Sequence, residues 1–510
     1  MQVLKTGRWH PEIDTPYNSL LSIGILPAIL DLVTGLDGVL VFKVAYPLIY
    51  SLVPVALYQL YRKILPPDSA FLGVFLLMAT SSFYVELIGT ARQEVAELFL
   101  VLVLCLLFSA KLAHRPPGRV ITILLLIGIV TAHYSVIYIF LFFLACSLVV
   151  PRILRMTAPL LSASMLLITV AITLCWYVLV VSASPVLTLY GFVSFVVWGT
   201  TSEFFNPLSR PLVFLQAAGL ASVLPGFLHD LNRVTFYLVN LSLVLGFFAL
   251  LRKRQKTPAE RAILPIAGAG FALVGSAVVL PWFATGLTLA RTYHFSIIAI
   301  SPCLAYGASS LQSLVERVWM FLDSKLFHAK LRVVFPKKRL FLTALMFSYF
   351  LFSSGWVWAV AMDRPTSLVL DSRRILEFPL ISMKLSFLTY FTATQDIDAA
   401  RWLSHYVGRD HEVCADYTAR FNVLTSYAEL SRPPGYSPRY YATFPDCAGT
   451  PGAYIYLGVM NRVFGIGTTY VYESSWSMSE VSAVIEAKNT IYSNGGAAIY
   501  ISYFTHSTSE

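Results

Sequence analysis

The sequence predicts a mostly α-helical fold: a polytopic transmembrane bundle of about ten spans, with a small C-terminal extracytoplasmic α/β domain. Three observations carry that expectation. Of the 510 residues, 57% are hydrophobic and 13% charged, and the mean hydropathy is +0.69, so too little polar surface exists for a soluble chain. Long apolar stretches end alternately in Arg and Lys, then in aromatic, acidic and His residues, which gives the molecule one chemically loaded side. From about Asp363 the composition becomes that of a soluble module. The expected organisation is an external loop with an amphipathic helix over 1–38, a bundle over 39–362 and an α/β domain over 363–510.

The elements follow in order. Residues 17–38 read as the amphipathic interior of an external loop. Apolar stretches of roughly membrane-spanning length fall at 39–60, 70–88, 95–113, 121–132, 136–150, 159–181, 234–251, 262–280, 292–309 and 340–361. The fourth and fifth are short and meet at Ala132, His133 and Tyr134, so they also read as one bent helix. If every stretch crosses, Arg62 and Lys63, the segment 111–119, Arg152 and Arg155, the run Arg252, Lys253, Arg254 and Lys256, and the segment 317–339 share one side. The positive-inside rule makes that side cytoplasmic, and it accounts for the net charge of +10 without a nucleic-acid partner. Both termini, the turns at Arg92 and His133, a long loop over 182–233, the turn over 282–291 and the whole tail then lie outside. Met1 to His10 lacks the pattern of a secretory signal, and a further helix is expected upstream of this segment.

In the tail, a helical pattern starts at Asp396 with Ile397, Ala400, Trp402, Leu403 and Tyr406. Strand-like runs are expected at 412–415, 453–457, 470–472 and 497–501, and helices at 419–430 and 479–492. Cys105, Cys146, Cys175 and Cys303 lie in apolar stretches, where small buried side chains are the plain reading. Cys414 and Cys447 are the two cysteines of the outward tail and the candidates for a disulfide. No CxxC or His/Cys spacing suggests a zinc site.

Ionisable groups at membrane depth are costly, so those near the outer ends are candidates for function. They are Glu12 and Asp14, then Glu86, Arg92, Glu94 and Glu97, then His133 with Tyr134, Glu203, and finally Arg291 with His294. The pairs Glu94/Glu97 and Arg291/His294 are three apart, so each shares a helix face. Each has a plainer reading as well: Arg92 and Glu94 can cap or pair at a helix end, Glu97 can face the bundle interior, and His133 can make a structural hydrogen bond. Arg291 can snorkel to headgroups, yet a guanidinium at the interface also offers two parallel donors to a phosphate.

The segment Gly7, Arg8, Trp9 through Tyr17, Asn18, Ser19, Leu20, Leu21 and Ser22 to Leu26 and Pro27, then Phe42, Lys43 to Tyr46, Pro47, then Ala91, Arg92, Gln93, Glu94, and His133, Tyr134, Ser135, resembles archaeal members of the GT-C superfamily of integral membrane glycosyltransferases. The resemblance implies an inverting enzyme that takes a sugar from a polyprenyl-phosphate donor within membrane lipid and transfers it on the external face. It implies an acidic catalytic base, for which Glu12 and Asp14 are the early carboxylates here, and a donor-phosphate site at Arg291, Arg92 and His294, with a divalent metal ion as an optional helper. Glu94, His133 and Tyr134 are further site candidates. In the family the acidic motif follows a first transmembrane helix, so the acid is expected at Glu12 or Asp14 or ahead of this segment. Two other classes stay open: a transporter or flippase of lipid-linked sugars, which repeated halves with broken helices would favour, and a non-catalytic assembly subunit.

Overall fold

In a computed structural model, the described residues are 7, 9, 18–86, 89–109, 115–153, 163–181, 183–217, 223–322, 338–364, 372–377, 381–407, 411–428, 444, 447, 452–468 and 475–501. The chain divides into two units, Met1–Ala361 and Met362–Glu510.

The first unit is helical. Two short helices, α1 (Leu21–Gly24) and α2 (Leu26–Thr34), precede α3 (Gly38–Tyr61), which carries a π turn over Val41–Ala45. There follow α4 (Pro67–Ala79), a π turn at Ser82–Glu86, α5 (Ala91–Leu107), α6 (Pro116–Ala132), α7 (Tyr134–Ile153), α8 (Ala163–Val180) and α9 (Ser184–Ser202). The unit continues with α10 (Phe227–Arg252), α11 (Pro258–Val279), α12 (Leu289–Ile300), α13 (Cys303–Leu322) and α14 (Lys338–Ser353).

Local chemistry sets several of these boundaries. Proline opens α4, α6 and α11, where its missing N–H costs nothing and its φ already suits a helix. At α11 a capping box completes the start: Thr257 accepts from the Glu260 N–H, and the Glu260 carboxylate accepts from the Thr257 N–H. Between α6 and α7 the chain is extended at His133, so the two short apolar stretches are separate helices.

Among the described residues, six helices are long and apolar enough to cross a membrane: Gly38–Tyr61, Tyr134–Arg152, Ala163–Val180, Ser184–Ser202, Phe227–Arg252 and Pro258–Val279. A seventh arises if Leu289–Ile300 and Cys303–Leu314, bent by 78°, form one broken span. The expected ten counted shorter pieces. Pro67–Ala79 stops well short of bilayer thickness, and Ala91–Leu107 carries Arg92, Glu94 and Glu97 in its first two turns. The expected long loop over 182–233 is also corrected, because it contains α9. That helix was hidden by Pro185, Thr188, Gly191, Ser194, Gly199, Thr200 and Thr201, which dilute its hydropathy to 1.2.

The core of this unit is a continuous apolar cluster drawn from α3 to α7 and α10 to α14, with Leu57, Val101, Ile129, Phe140, Ala267 and Ile297 fully buried. Helices α10 and α13 cross at glycines: a Cβ on Gly246 would sit 1.8 Å from the Cys303 carbonyl oxygen, and one on Gly307 would sit 1.7 Å from that of Ser242. Only residues without side chains admit backbones this close.

The second unit has α15 (Thr394–Tyr406), β1 (Val413–Cys414), β2 (Tyr454–Leu457), β3 (Ile466–Thr468), β4 (Ser475–Ser477), α16 (Met478–Glu486), β5 (Asn489–Ser493) and β6 (Ala498–Ile501). A mixed sheet runs β1-β2-β6-β5, with β1 parallel to β2 and the other pairs antiparallel; β3 and β4 form a separate hairpin-like pair. Alternation along the strands serves two cores. Val413, Tyr456 and Ile499 pack with Leu403 of α15 on one face, while Cys414, Ile455 and Leu457 pack with Val481 and Ile485 of α16 on the other. Cys414 and Cys447 form a disulfide with Cα atoms 5.8 Å apart. The helix expected over 479–492 ends at Glu486, because Thr490, Ile491 and Tyr492 belong to a strand that pairs with β6. The strand expected at 470–472 lies outside the described residues.

Candidate functional site: a cationic cavity at three helix N-termini

Helices α5, α7 and α12 begin around one cavity of about 510 Å³. From α5 come Arg92 and Gln93, from the α6–α7 break His133, Tyr134 and Ser135, and from α12 Arg291. The remaining wall is largely apolar: Ile139 and Phe142 of α7, Leu189 and Phe192 of α9, Leu273 of α11, then Phe283 and Leu287. Backbone N–H groups and helix dipoles at such N-termini favour a bound anion, and here three of them coincide with two guanidinium groups.

The local sequence explains why each side chain faces the site. Thr288 caps α12, its hydroxyl accepting from the Arg291 N–H at 3.3 Å, which places Arg291 in the first turn. Arg291 Nε also lies 3.7 Å from Glu86 Oε2. His133 terminates α6 and caps α7: its Nδ1 accepts from the Ser135 N–H at 3.0 Å, while Arg92 Nε lies 3.3 Å from its Nε2. The imidazole thus stands between two N–H donors, and a neutral ring has one acceptor nitrogen, so it can satisfy only one of them. Which of the two it accepts from sets the tautomer of the ring.

The other expected site residues are placed differently. His294 does not line the cavity. It sits one turn deeper than Arg291 on the same helix face, is fully buried, and holds Glu97 Oε1 at 2.9 Å from its Nε2. Glu94 is also fully buried and off the cavity wall, and neither of its carboxylate oxygens has a hydrogen-bond partner among the described residues. Glu12 and Asp14 lie outside the described residues. Sequence reading missed Gln93, Ser135 and Tyr138 in the wall, and Tyr50 and Ser82 beside His294. Ser135 was within reach, since it directly follows His133 and Tyr134, whereas Tyr50 and Ser82 carry no signal beyond polarity in an apolar stretch.

Among the described residues, no group of three or more His, Cys, Asp or Glu side chains gathers where a metal ion could be held. The cavity's donor set is cationic and hydroxylic, which does not fit a divalent cation.

Comparison with solved structures finds similarity to ArnT from Cupriavidus metallidurans bound to undecaprenyl phosphate, at a TM-score of 0.45 and 12% identity, covering 98% of this chain and 91% of that one. The archaeal oligosaccharyltransferase AglB from Archaeoglobus fulgidus, in complex with an inhibitory peptide and a dolichol-phosphate, is similar at 0.47 and 12% identity, covering 98% and 68%. The apo form of the Archaeoglobus fulgidus oligosaccharyltransferase scores 0.48 at 12% identity, covering 99% and 69%. Both proteins are GT-C glycosyltransferases. No curated protein matches this chain. Residues 118–500 match the family described as "Predicted membrane protein (DUF2206)", and the chain belongs to that family.

Proposed function

We propose that this chain is a membrane glycosyltransferase that moves a sugar from a polyprenyl-phosphate-linked donor to an acceptor hydroxyl or amide on the external face, with inversion. The observation that carries the reading is the cavity itself: Arg92, His133 and Arg291 stand beside three helix N-termini, in a chamber otherwise walled by Ile139, Phe142, Phe192, Leu273 and Phe283. A phosphate attached to an isoprenoid chain presents this combination of anion and apolar tail.

In this mechanism the acceptor attacks the anomeric carbon as a carboxylate removes its proton, and the bond from that carbon to the phosphate oxygen breaks. Glu12 or Asp14 is the proposed base. The electron pair leaves with the phosphate, whose growing charge is met by Arg92 and Arg291. A phosphate leaves without protonation, so cations serve it better than a general acid would.

The external placement is supported by the basic loops. Arg115 and Arg119 at the start of α6, Arg152 near the end of α7, and the run Arg252 to Lys256 between α10 and α11 lie at helix ends opposite those that form the cavity. The test is transfer of radiolabelled sugar from a polyprenyl-phosphate donor by membranes containing this chain, compared with Arg92→Ala and Arg291→Ala. Transfer that both variants retain at full rate would remove the phosphate role from the cavity.

A further inference from the structure

One buried contact joins the two helices that bring cations to the cavity. On α12, His294 follows Arg291 by three residues; on α5, Glu97 follows Gln93 by four, so each lies one turn below a cavity-lining side chain. His294 Nε2 and Glu97 Oε1 are 2.9 Å apart, with both side chains at 0% exposure. The Tyr50 hydroxyl of α3 lies 3.3 Å from Glu97 Oε1 and 3.2 Å from His294 Nε2, and Ser82 Oγ lies 3.3 Å from His294 Nδ1. Glu97 Oε1 thus accepts from the Tyr50 hydroxyl and faces His294 Nε2, while the Ser82 hydroxyl faces Nδ1 and also donates to Thr80 Oγ1 at 3.4 Å.

Stability alone does not call for such a pair, because apolar packing of the same volume holds two helices at least as well. What a directional contact adds is a defined rotation and register, the best-attested use of buried polar pairs. We infer that His294 and Glu97 are positioning residues: they lock the first turns of α5 and α12 so that Arg92, Gln93 and Arg291 address one phosphate. The inference rests on the phosphate reading of the cavity.

The test measures binding of polyprenyl phosphate, and of the uncharged polyprenol of equal length, to the full chain in detergent. Variants are His294→Gln, Glu97→Gln and their double, with Arg92→Ala and Arg291→Ala as references. Each single variant is expected to weaken polyprenyl phosphate by at least about tenfold while leaving polyprenol unchanged, and the double to be no worse than either single. Equal loss for both ligands, unchanged phosphate binding, or losses that add would overturn the inference. Where the single variants do not accumulate, Tyr50→Phe decides. It keeps the ring against Phe83 and removes only the hydroxyl; a loss selective for the phosphate supports the clamp, and unchanged affinity overturns it. If the arginine variants themselves bind polyprenyl phosphate like the wild type, the phosphate reading fails; if they lose it while the clamp variants keep it, the clamp alone fails.

Discussion

At the scale of single residues, the cavity makes Arg291 the most informative position. Each charge-assisted hydrogen bond to a phosphate is worth about 1.5–3 kcal/mol, so Arg291→Ala should weaken donor use roughly 10- to 150-fold with little change in the thermal midpoint. Equal loss of folded protein would instead assign it a structural role. Asp416 in the second unit gives a pH prediction. Burial pushes its carboxyl up from 3.8 to about 6, against the pull of hydrogen bonds from the Ala419 N–H, Asn461 Nδ2 and the Thr468 N–H. Between those values the folded state holds the proton and the unfolded state has released it. Stability therefore falls as pH rises through that window, by about 3 kcal/mol, and is flat above it. Hydrogen exchange of β2 and β6, corrected for intrinsic rates, should show this loss of protection in the wild type and not in Asp416→Asn. The sequence named Arg92, His133, Tyr134 and Arg291 as candidates because polar groups stand out in apolar stretches. It could not pair Arg92 with His133, since those residues are 41 apart and meet only through the packing of α5 against the α6–α7 break.

At the scale of elements, the crossing of α10 and α13 tolerates no side chain at its closest point. Gly246→Ala or Gly307→Ala drives a methyl into a carbonyl oxygen that belongs to a helix backbone and cannot swing away. Each should lower stability by about 1–3 kcal/mol or more, the usual range for overpacking, seen as a lower midpoint in detergent; an unchanged midpoint would mean that the helices separate freely. Helix content and the long spans of α3, α7, α8, α10 and α11 were legible because each is a sustained apolar run. Two elements were not. Small and hydroxylated residues gave α9 the look of a loop, although its Thr188, Thr200 and Thr201 hydroxyls bond back to carbonyls one turn earlier and so cost little in lipid. Residues 489–492 continued the polar texture of α16, and only the partner strand β6 makes them a strand.

At the scale of the whole molecule, the external placement of the cavity is open to direct labelling. Thr285→Cys, beside the cavity, should react with a membrane-impermeant maleimide in intact cells, and Arg254→Cys only after permeabilisation, each measured against the unsubstituted chain. The reverse pattern would put the chamber on the cytoplasmic face and end the proposed reaction there. The disulfide between Cys414 and Cys447 closes a loop of 33 residues, so replacing both cysteines by serine should cost the second unit about 2–5 kcal/mol, read as lost exchange protection in β1.

Three helix starts aimed at one chamber also bear on turnover. On the proposed reaction, the groups that grip the carrier's phosphate make no contact that depends on the sugar and meet more charge once it has left, so they hold the spent carrier at least as firmly as the loaded one. The product would then compete with its own precursor, and departure of the empty lipid, more than bond breaking, would set the pace of each cycle. Added polyprenyl phosphate should inhibit competitively against the donor, and a pre-steady-state burst of one sugar per chain should precede the slower steady rate.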